Sequence, residues 1–191
     1  ISRILHMNSH HRSKGSHLQV AIDYILKDEK TMNGLLTGSV NCIKENAYEC
    51  MKETKRLYGK MDKRQGYHLI ISFEENECDG DTAMKVIEEF VHEYLESDYE
   101  VVYAVHTNTD HIHGHIIWNS VRFTDGYKYH YKKGDWEKNI QPRIDRICEK
   151  YNLSTLEKSI EKTDKKEWDV LKDGPFMLPL ENQQLRECLL I

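Results

Sequence analysis

Apolar residues recur along the chain with two kinds of spacing, one typical of helices and one of strands. Spacing of i, i+3, i+4 and i+7 predicts four amphipathic helices, whereas alternating or continuous apolar runs predict four strands. A Thr-Asp-Gly turn between aromatic residues predicts a further, more exposed hairpin, and the Gly-bearing stretch 32–39 receives no element. The helices are 18–26, 43–57, 83–95 and 140–151; the strands are 2–7, 67–73, 100–107 and 112–121; the exposed hairpin is 123–131.

The order of these elements predicts an α+β domain with a central antiparallel sheet and helices packed mainly on one face. A chain of 191 residues is long enough for one well-buried domain of catalytic size. Beyond Leu153 the periodicity fades into a charged segment. We therefore expect a folded domain over residues 1–156 and, over 157–191, an extension or linker toward a further C-terminal region.

Tyr24 occupies an unusual position on the first predicted helix. Leu18, Ile22 and Ile25 form its apolar stripe, and at 100° per residue Tyr24 lies roughly 130° from the centre of that stripe. The spacing therefore predicts that this tyrosine faces a surface or a cleft rather than the core.

Charge along the chain is unevenly distributed. The formal net charge of −5 argues against a polyanionic partner, because phosphate binding normally requires a basic surface. However, residues 74–100 hold eleven acidic residues and one lysine, whereas residues 122–150 hold eight basic and five acidic ones. An acidic helix on one side and a mildly basic surface elsewhere remain compatible with nucleic acid.

Cysteine usage and hydropathy suggest a cytoplasmic protein. The five cysteines are widely spaced and form no CxxC pair, which favours reduced thiols over a disulfide framework or a thiolate zinc site. No apolar run approaches the roughly 20 residues needed to cross a bilayer, and the first residues lack the pattern of a signal peptide. We expect no insertion into a membrane.

Four histidines lie within ten residues of one another. His113 and His115 are two apart on a predicted strand, so they share a face, and a turn near Asp110 brings His106 opposite them. Three neutral imidazoles that converge on one point form a good site for a divalent ion with positions open to a phosphate oxygen. Asp110 is a candidate for orienting one of the rings.

Two other interpretations of the cluster remain open. The run from His111 through His113 to His115 resembles the histidine-triad nucleotide hydrolases and transferases, in which the middle histidine is the nucleophile and no metal is needed. Gly114 departs from that pattern, which requires an apolar residue at this position. Alternatively, the histidines bind a structural metal in a domain that is not an enzyme.

Three motifs in order resemble the relaxase, or mobilisation nuclease, family of conjugative plasmids and transposons, a family of tyrosine HUH endonucleases. They are Ala21–Thr31 with Tyr24, Gly66–Phe73 followed by Glu77, and His106–Val121. The resemblance runs from about Ile4 to Leu156 and includes the ending Arg146–Leu153.

This resemblance implies a metal-dependent nuclease that nicks one DNA strand at an origin of transfer for conjugation. Tyr24 would be the nucleophile and would form a 5′-phosphotyrosine link, while His106, His113 and His115 would hold Mg²⁺ or Mn²⁺. Later attack by a 3′-hydroxyl would reseal the DNA without ATP. The family's fold is also a central antiparallel sheet, with the histidines on its middle strands.

The sequence departs from the family at Gly114 and at Asn108, where an aspartate is common, so Asp110 is the candidate catalytic residue for orienting a histidine. Candidate contacts to DNA flank the motifs, and three nearby tyrosines could stack on bases or form a cross-strand ladder. The basic candidates are Arg3, Lys14, Arg122, Lys132 and Lys133; the tyrosines are Tyr127, Tyr129 and Tyr131.

The partners implied are single-stranded or hairpin origin-of-transfer DNA, accessory relaxosome proteins and a coupling protein, in the cytoplasm of a bacterium. The chain would then be the N-terminal domain of a longer relaxase.

Overall fold

The computed structural model describes residues 2–8 and 17–155. Within these residues five strands and four α-helices follow one another in a mixed order. The strands are β1 Ser2–Asn8, β2 Thr37–Val40, β3 Arg64–Ser72, β4 Val101–His106 and β5 His113–Asn119; the helices are α1 His17–Ile25, α2 Ala47–Leu57, α3 Gly80–Tyr94 and α4 Gln141–Lys150. Each predicted helix and each of the four predicted strands is confirmed, with shifts of a few residues at their ends.

The strands form one sheet in the order β1-β3-β5-β4-β2, and every neighbouring pair is antiparallel. The predicted hairpin of β4 and β5 is present, and its last pair is His106 opposite His113. The connection spans residues 107–112, so it is longer than the tight turn expected at Asn108–Asp110. The α+β class with a central antiparallel sheet is confirmed.

Helices lie on both faces of the sheet, which corrects the expectation that they would pack mainly on one. Val101 and Tyr103 belong to the core that includes α3 and α4, whereas Val102 and Ala104 belong to the core that includes α1 and α2. The reason is visible in β4, where every residue is buried. A strand that is apolar on both faces needs a cover on both.

The strand β2 was not predicted from the sequence. Its four residues, Thr-Gly-Ser-Val, contain no alternation of apolar and polar side chains, and all four are half-buried. They form an edge strand because they pair with β4, from Thr37 opposite Ala104 to Val40 opposite Val101. Pairing with a distant strand leaves no local pattern in such a short segment.

The predicted exposed hairpin at residues 123–131 is only partly formed. A single bridge joins Val121 and Lys128, and Arg122 N donates to Tyr127 O at 2.9 Å. The structure therefore contains a turn at this place rather than two further strands.

The predicted C-terminal extension, residues 157–191, lies outside the described residues, so the predicted domain boundary stays a prediction. By contacts, the chain divides into residues 1–154 and 155–191. No helix among the described residues is both long and apolar enough to span a membrane.

Candidate metal centre and nucleophile

The three histidines predicted as metal ligands lie together at one end of the sheet. His106 is the last residue of β4 and His113 the first residue of β5, while His115 is paired with Ala104. Side chains alternate along a strand, so His106 shares a face with Val102 and Ala104, the face that α1 covers. The sheet thus presents all three imidazoles toward α1.

The rings are close enough to share one ion. Ring centroids are 5.2 Å apart for His106 and His113, 4.4 Å for His106 and His115, and 4.9 Å for His113 and His115. One nitrogen from each ring lies within 4.8 Å of the others. His111 is exposed, and its Nδ1 lies 3.3 Å from the carbonyl oxygen of Phe73, so it is not part of this cluster.

Backbone carbonyl groups determine which nitrogen of two rings carries the proton. His106 Nε2 donates to the carbonyl oxygen of Ile25 at 2.9 Å, and His113 Nδ1 donates to that of His111 at 3.0 Å. A carbonyl oxygen only accepts, so the lone pairs of the neutral rings lie on His106 Nδ1 and His113 Nε2. Hydrogen bonds of this kind orient the rings of many metal-binding histidines.

The third ring is held by another histidine. His68 Nε2 and His115 Nδ1 are 2.9 Å apart, and both residues are almost completely buried. His68 lies on β3, opposite Ile117 of β5, so the two strands bring the pair together. Sequence reasoning assigned His68 no role, although a histidine in an otherwise apolar strand beside the histidine-bearing hairpin was a usable signal.

Two nitrogens of the cluster have no hydrogen-bond partner within the part of the chain that the structure describes. They are His106 Nδ1 and His115 Nε2, and both are buried. A buried polar atom without a partner costs about 1–3 kcal/mol. A divalent ion bound by both nitrogens would remove that cost, so the residues present fit a metal.

Burial keeps the imidazoles neutral. Loss of solvation lowers the pKa of His106 to about 4 and that of His68 to about 3. For the same primary reason the pKa of His113 is lowered and that of His115 lies well below its ordinary value. Neutral rings are the form that binds a metal.

Tyr24 lies beside this cluster. Its ring centroid is 5.8 Å from that of His106 and 6.3 Å from that of His115, both in edge-to-face geometry. The side chain is half-buried at the margin of the core under α1. The prediction that Tyr24 faces a surface or cleft rather than the core is only partly met: the buried stripe is Leu18, Ile22 and Ile25, but Tyr24 packs against the same core at its margin.

Asp110 is not brought to the histidines. It is exposed in the loop between β4 and β5, and no hydrogen bond joins it to His106, His113 or His115 among the described residues. The predicted orienting role therefore gains no support, because two carbonyl groups and His68 already hold the rings. Glu77 is not part of the histidine group either, and its carboxylate accepts from the backbone N–H groups of Glu74 and Ser154.

The structure describes the side chains of three of the five predicted DNA-contacting residues, and it shows no contact between these three and the clustered histidines. Arg122 follows the C-terminal end of β5, whereas His113 is at the N-terminal end of that strand. The guanidinium group of Arg122 lies near the carboxylates of Asp98 and Asp125. Lys132 and Lys133 are exposed in the segment before α4. The side chain of Arg3 and the whole of Lys14 lie outside the described residues, so those predictions stay open.

The three candidate stacking tyrosines differ in exposure. Tyr129 contacts Tyr67, Tyr99 and Trp118 ring to ring, and its hydroxyl is 2.8 Å from that of Tyr94. Tyr131 also packs against the core. Tyr127, by contrast, is 48% exposed. Base stacking therefore remains a prediction for Tyr127 and is not supported for the other two, whose partly buried rings pack against the core.

Comparison with known proteins agrees with this geometry. The chain is 34% identical over 141 residues to a protein named rlx from Staphylococcus aureus, an alignment that covers 74% of this chain and 42% of that one. It is 29% identical over 107 residues to the group II intron-interrupted relaxase LtrB of Lactococcus lactis, covering 49% and 19% of the two chains. The chain thus spans about two fifths of the length of its relatives named rlx.

A solved structure from work described as "Molecular Basis of Vancomycin Resistance Transfer in Staphylococcus aureus" has the same fold. It matches with a TM-score of 0.52 at 12% identity and covers 81% of this chain and 95% of its own. The family model for the relaxase nuclease domain of the MobA/VirD2 type matches residues 24–153, a range that includes Tyr24 and all three clustered histidines. The chain therefore belongs to the MobA/VirD2-like relaxase nuclease-domain family.

Proposed function

We propose that this domain cuts one strand of DNA at an origin of transfer by transesterification onto Tyr24, with Mg²⁺ or Mn²⁺ held by His106, His113 and His115. One observation carries the proposal. The half-buried ring of Tyr24 lies 5.8 Å from that of His106 and 6.3 Å from that of His115, and the buried nitrogens His106 Nδ1 and His115 Nε2 have no partner among the described residues. A nucleophile beside a cation site is the arrangement that phosphoryl transfer requires.

The histidine set suits an ion that also binds phosphate. Three imidazole nitrogens leave coordination positions for oxygen ligands, and the rings are neutral near pH 7 because burial lowers their pKa values. When bound, such an ion acts as a Lewis acid that polarises a phosphoryl oxygen and offsets its negative charge.

The covalent step exchanges one phosphodiester for another. The Tyr24 hydroxyl oxygen attacks phosphorus, and the bond from phosphorus to the 3′-oxygen breaks. The phenol loses its proton, and the leaving 3′-oxygen gains one. The products are a 5′-phosphotyrosine and a free 3′-hydroxyl. The ester keeps the bond energy, so attack by a 3′-hydroxyl restores the DNA without ATP. A phenol has a pKa near 10, so the step needs nearby positive charge to lower its barrier.

The protein scaffold positions these groups in advance. Ile25 is the residue next to Tyr24, and its carbonyl oxygen accepts a hydrogen bond from His106. The same end of α1 therefore fixes the positions of the nucleophile and of one metal ligand. His68 holds His115 from the neighbouring strand. Fixed geometry of this kind lowers the entropic cost of bringing reacting atoms together.

We further propose that the DNA is single-stranded or a hairpin, and that the domain acts in conjugative transfer with accessory relaxosome proteins and a coupling protein. This part rests on membership of the relaxase family and on the relatives' names.

The test is a covalent-adduct assay. Single-stranded oligonucleotides, labelled at the 3′ end and tiled across the DNA that flanks the gene, are incubated with the protein and Mn²⁺ and then run on a denaturing gel. A slow protein–DNA band is expected, and it should disappear with a chelator and in Tyr24→Phe. Tyr48→Phe, which changes another half-buried tyrosine of the same core, is the matched control and should keep the band.

Other outcomes would identify the competing functions. If no oligonucleotide gives an adduct while small nucleotides are hydrolysed in the presence of chelator, a nucleotide hydrolase of the histidine-triad type is favoured instead. If Mn²⁺ binds but neither activity is found, the histidines hold a structural metal. Either result would overturn the proposal.

A further inference from the structure

Lys30 lies in a short turn directly after α1 and is anchored at its backbone. The 3₁₀ turn Asp28–Lys30 is followed by Thr31, whose hydroxyl donates to the carbonyl oxygen of Lys27 at 3.0 Å. The carbonyl oxygen of Lys30 accepts from the backbone N–H of Thr107, the residue after His106, at 3.1 Å. The turn is thereby tied to the strand that carries a metal-site histidine.

The ammonium group of Lys30 lies against the ring of Tyr24, the candidate nucleophile. Its Nζ is 3.9 Å from the centroid of the Tyr24 ring, a cation–π distance. The Tyr24 ring in turn lies 5.8 Å from the ring of His106 and 6.3 Å from that of His115, so this charge adjoins the residue that adjoins the histidine cluster.

Within the described part of the chain, no carboxylate balances this charge. Among the described residues no aspartate or glutamate forms an ion pair with Lys30. A bound divalent ion at the histidines would add a second positive charge nearby. Two like charges at short range repel each other, and the cost is removed when an anion lies between them. The arrangement therefore favours an anionic ligand.

We propose that Lys30 is a catalytic residue that contacts a non-bridging oxygen of the scissile phosphate during attack by Tyr24. The inference rests on the proposed function and deepens it. Charge on the phosphoryl oxygens rises in the transition state, and a preorganised cation aimed at those oxygens stabilises it. Lys30 and the metal would bind the same phosphate from two sides, while the cation–π contact holds the phenol beside it.

Lys27 provides a matched control. It stands three residues earlier and carries the same charge, but it is exposed, and its Nζ lies 5.7 Å from the centroid of the Tyr24 ring, farther than that of Lys30. A lysine that only raised the local positive potential would behave like Lys27. A lysine that contacts the reacting phosphate would not.

The experiment measures single-turnover adduct formation at saturating Mn²⁺ and saturating oligonucleotide for the wild type, Lys30→Met, Lys30→Arg and Lys27→Met. Loss of one transition-state donor typically lowers the rate by about 100- to 1000-fold. We expect a loss of that size in Lys30→Met, substantial recovery in Lys30→Arg and a change below about threefold in Lys27→Met. The affinity for Mn²⁺ alone, measured by calorimetry, should not fall in Lys30→Met.

A neutral substrate separates phosphate contact from a merely structural role. In an oligonucleotide with a methylphosphonate at the scissile position, one non-bridging oxygen is replaced by methyl and the charge is gone. The penalty of Lys30→Met should then shrink to less than about tenfold, because the ammonium group of Lys30 has no charged oxygen to bind in this substrate. An equal penalty on both substrates, or a Lys30→Met rate within threefold of the wild type, would overturn the inference.

Failure of the proposed function gives a different result. If the wild type forms no adduct with any tiled oligonucleotide, the transesterase proposal falls and the role of Lys30 falls with it. If the wild type forms the adduct and Lys30→Met does so equally fast, only the role of Lys30 is wrong.

Discussion

His106 Nε2 donates a hydrogen bond to the carbonyl oxygen of Ile25 at 2.9 Å, and Ile25 is the residue next to Tyr24. One contact therefore joins the end of α1 to the end of β4, which are 81 residues apart in sequence. It leaves His106 Nδ1 as the free lone pair of the ring, and that atom is buried without a partner in the described part of the chain. The nucleophile candidate and the metal site are thus positioned by the same contact.

The first prediction concerns the metal itself. His106→Ala should lower the affinity for Mn²⁺ by more than about 100-fold, because the change removes one of three nitrogen ligands. Isothermal titration calorimetry with the metal alone measures this directly. His111→Ala removes a nearby but exposed histidine outside the cluster and should leave the affinity unchanged. Equal affinities in the wild type and His106→Ala would exclude the proposed ligand set.

The second prediction concerns His68, which touches no ion in this account and acts as a positioning residue through His115. His68→Ala should weaken Mn²⁺ binding by roughly 10- to 100-fold, the usual effect of removing a partner of a ligating histidine. His68→Gln, which offers an amide oxygen as acceptor, should recover part of the loss. An unchanged affinity in His68→Ala, in a variant that folds, would show that the 2.9 Å contact with His115 has no such role.

Acid should destabilise the metal-free protein. The folded-state pKa values of about 3 for His68 and about 4 for His106 lie below their ordinary 6.5. Well above pH 6.5 these rings are neutral in both the folded and the unfolded state, so they add no pH dependence there. As the pH falls from 6.5 toward 4, the unfolded chain takes up protons that the folded chain refuses, so the free energy of unfolding decreases by about 1.4 kcal/mol per pH unit for each ring.

Urea unfolding in the presence of chelator at several pH values between 4 and 7.5 tests this effect. The slope of the free energy of unfolding against pH should be smaller in His68→Gln than in the wild type, because one of the neutral buried rings is gone. Equal slopes would indicate that the pKa of His68 in the folded state is that of an ordinary histidine, which would contradict this explanation.

Gly114 separates the paired histidines for a packing reason. A Cβ atom at this position would lie 2.3 Å from Cδ1 and 2.5 Å from Cγ1 of Ile87, on α3. Gly114→Ala should therefore lower the free energy of unfolding by about 1–3 kcal/mol, the usual cost of overpacking. In the double variant with Ile87→Ala the two costs should be less than additive, since the clash is removed. Strict additivity would contradict this explanation of the glycine.

Local patterns predicted most elements of the fold. A periodic pattern within one segment can be recognised without a structure. Examples are the helical stripe of Leu18, Ile22 and Ile25 and the alternation around Leu69 and Ile71. The strand β2 was missed, because its only support is pairing with β4. The second layer of helices was also missed, since apolar side chains on both faces of β4 do not say which helix covers which face.

For the metal site, the sequence predicted the three histidine ligands but not the groups that orient them. The i, i+2 spacing of His113 and His115 and the hairpin that returns His106 were enough to indicate three converging rings. What holds those rings depends on contacts between distant segments: Ile25 with His106, and His68 with His115. Asp110 was assigned an orienting role from its nearness in sequence, but the longer loop leaves it exposed, and the partners come from α1 and β3.

The most direct test of the central claim is to identify the residue that becomes attached to DNA. The adduct formed with Mn²⁺ is digested with nuclease and protease, and the peptides are sequenced by tandem mass spectrometry. We predict a single modified peptide that carries the nucleotide through a phosphodiester on Tyr24, absent when chelator is present. A nucleotide attached to His113 or to any other residue, with Tyr24 unmodified, would contradict the account.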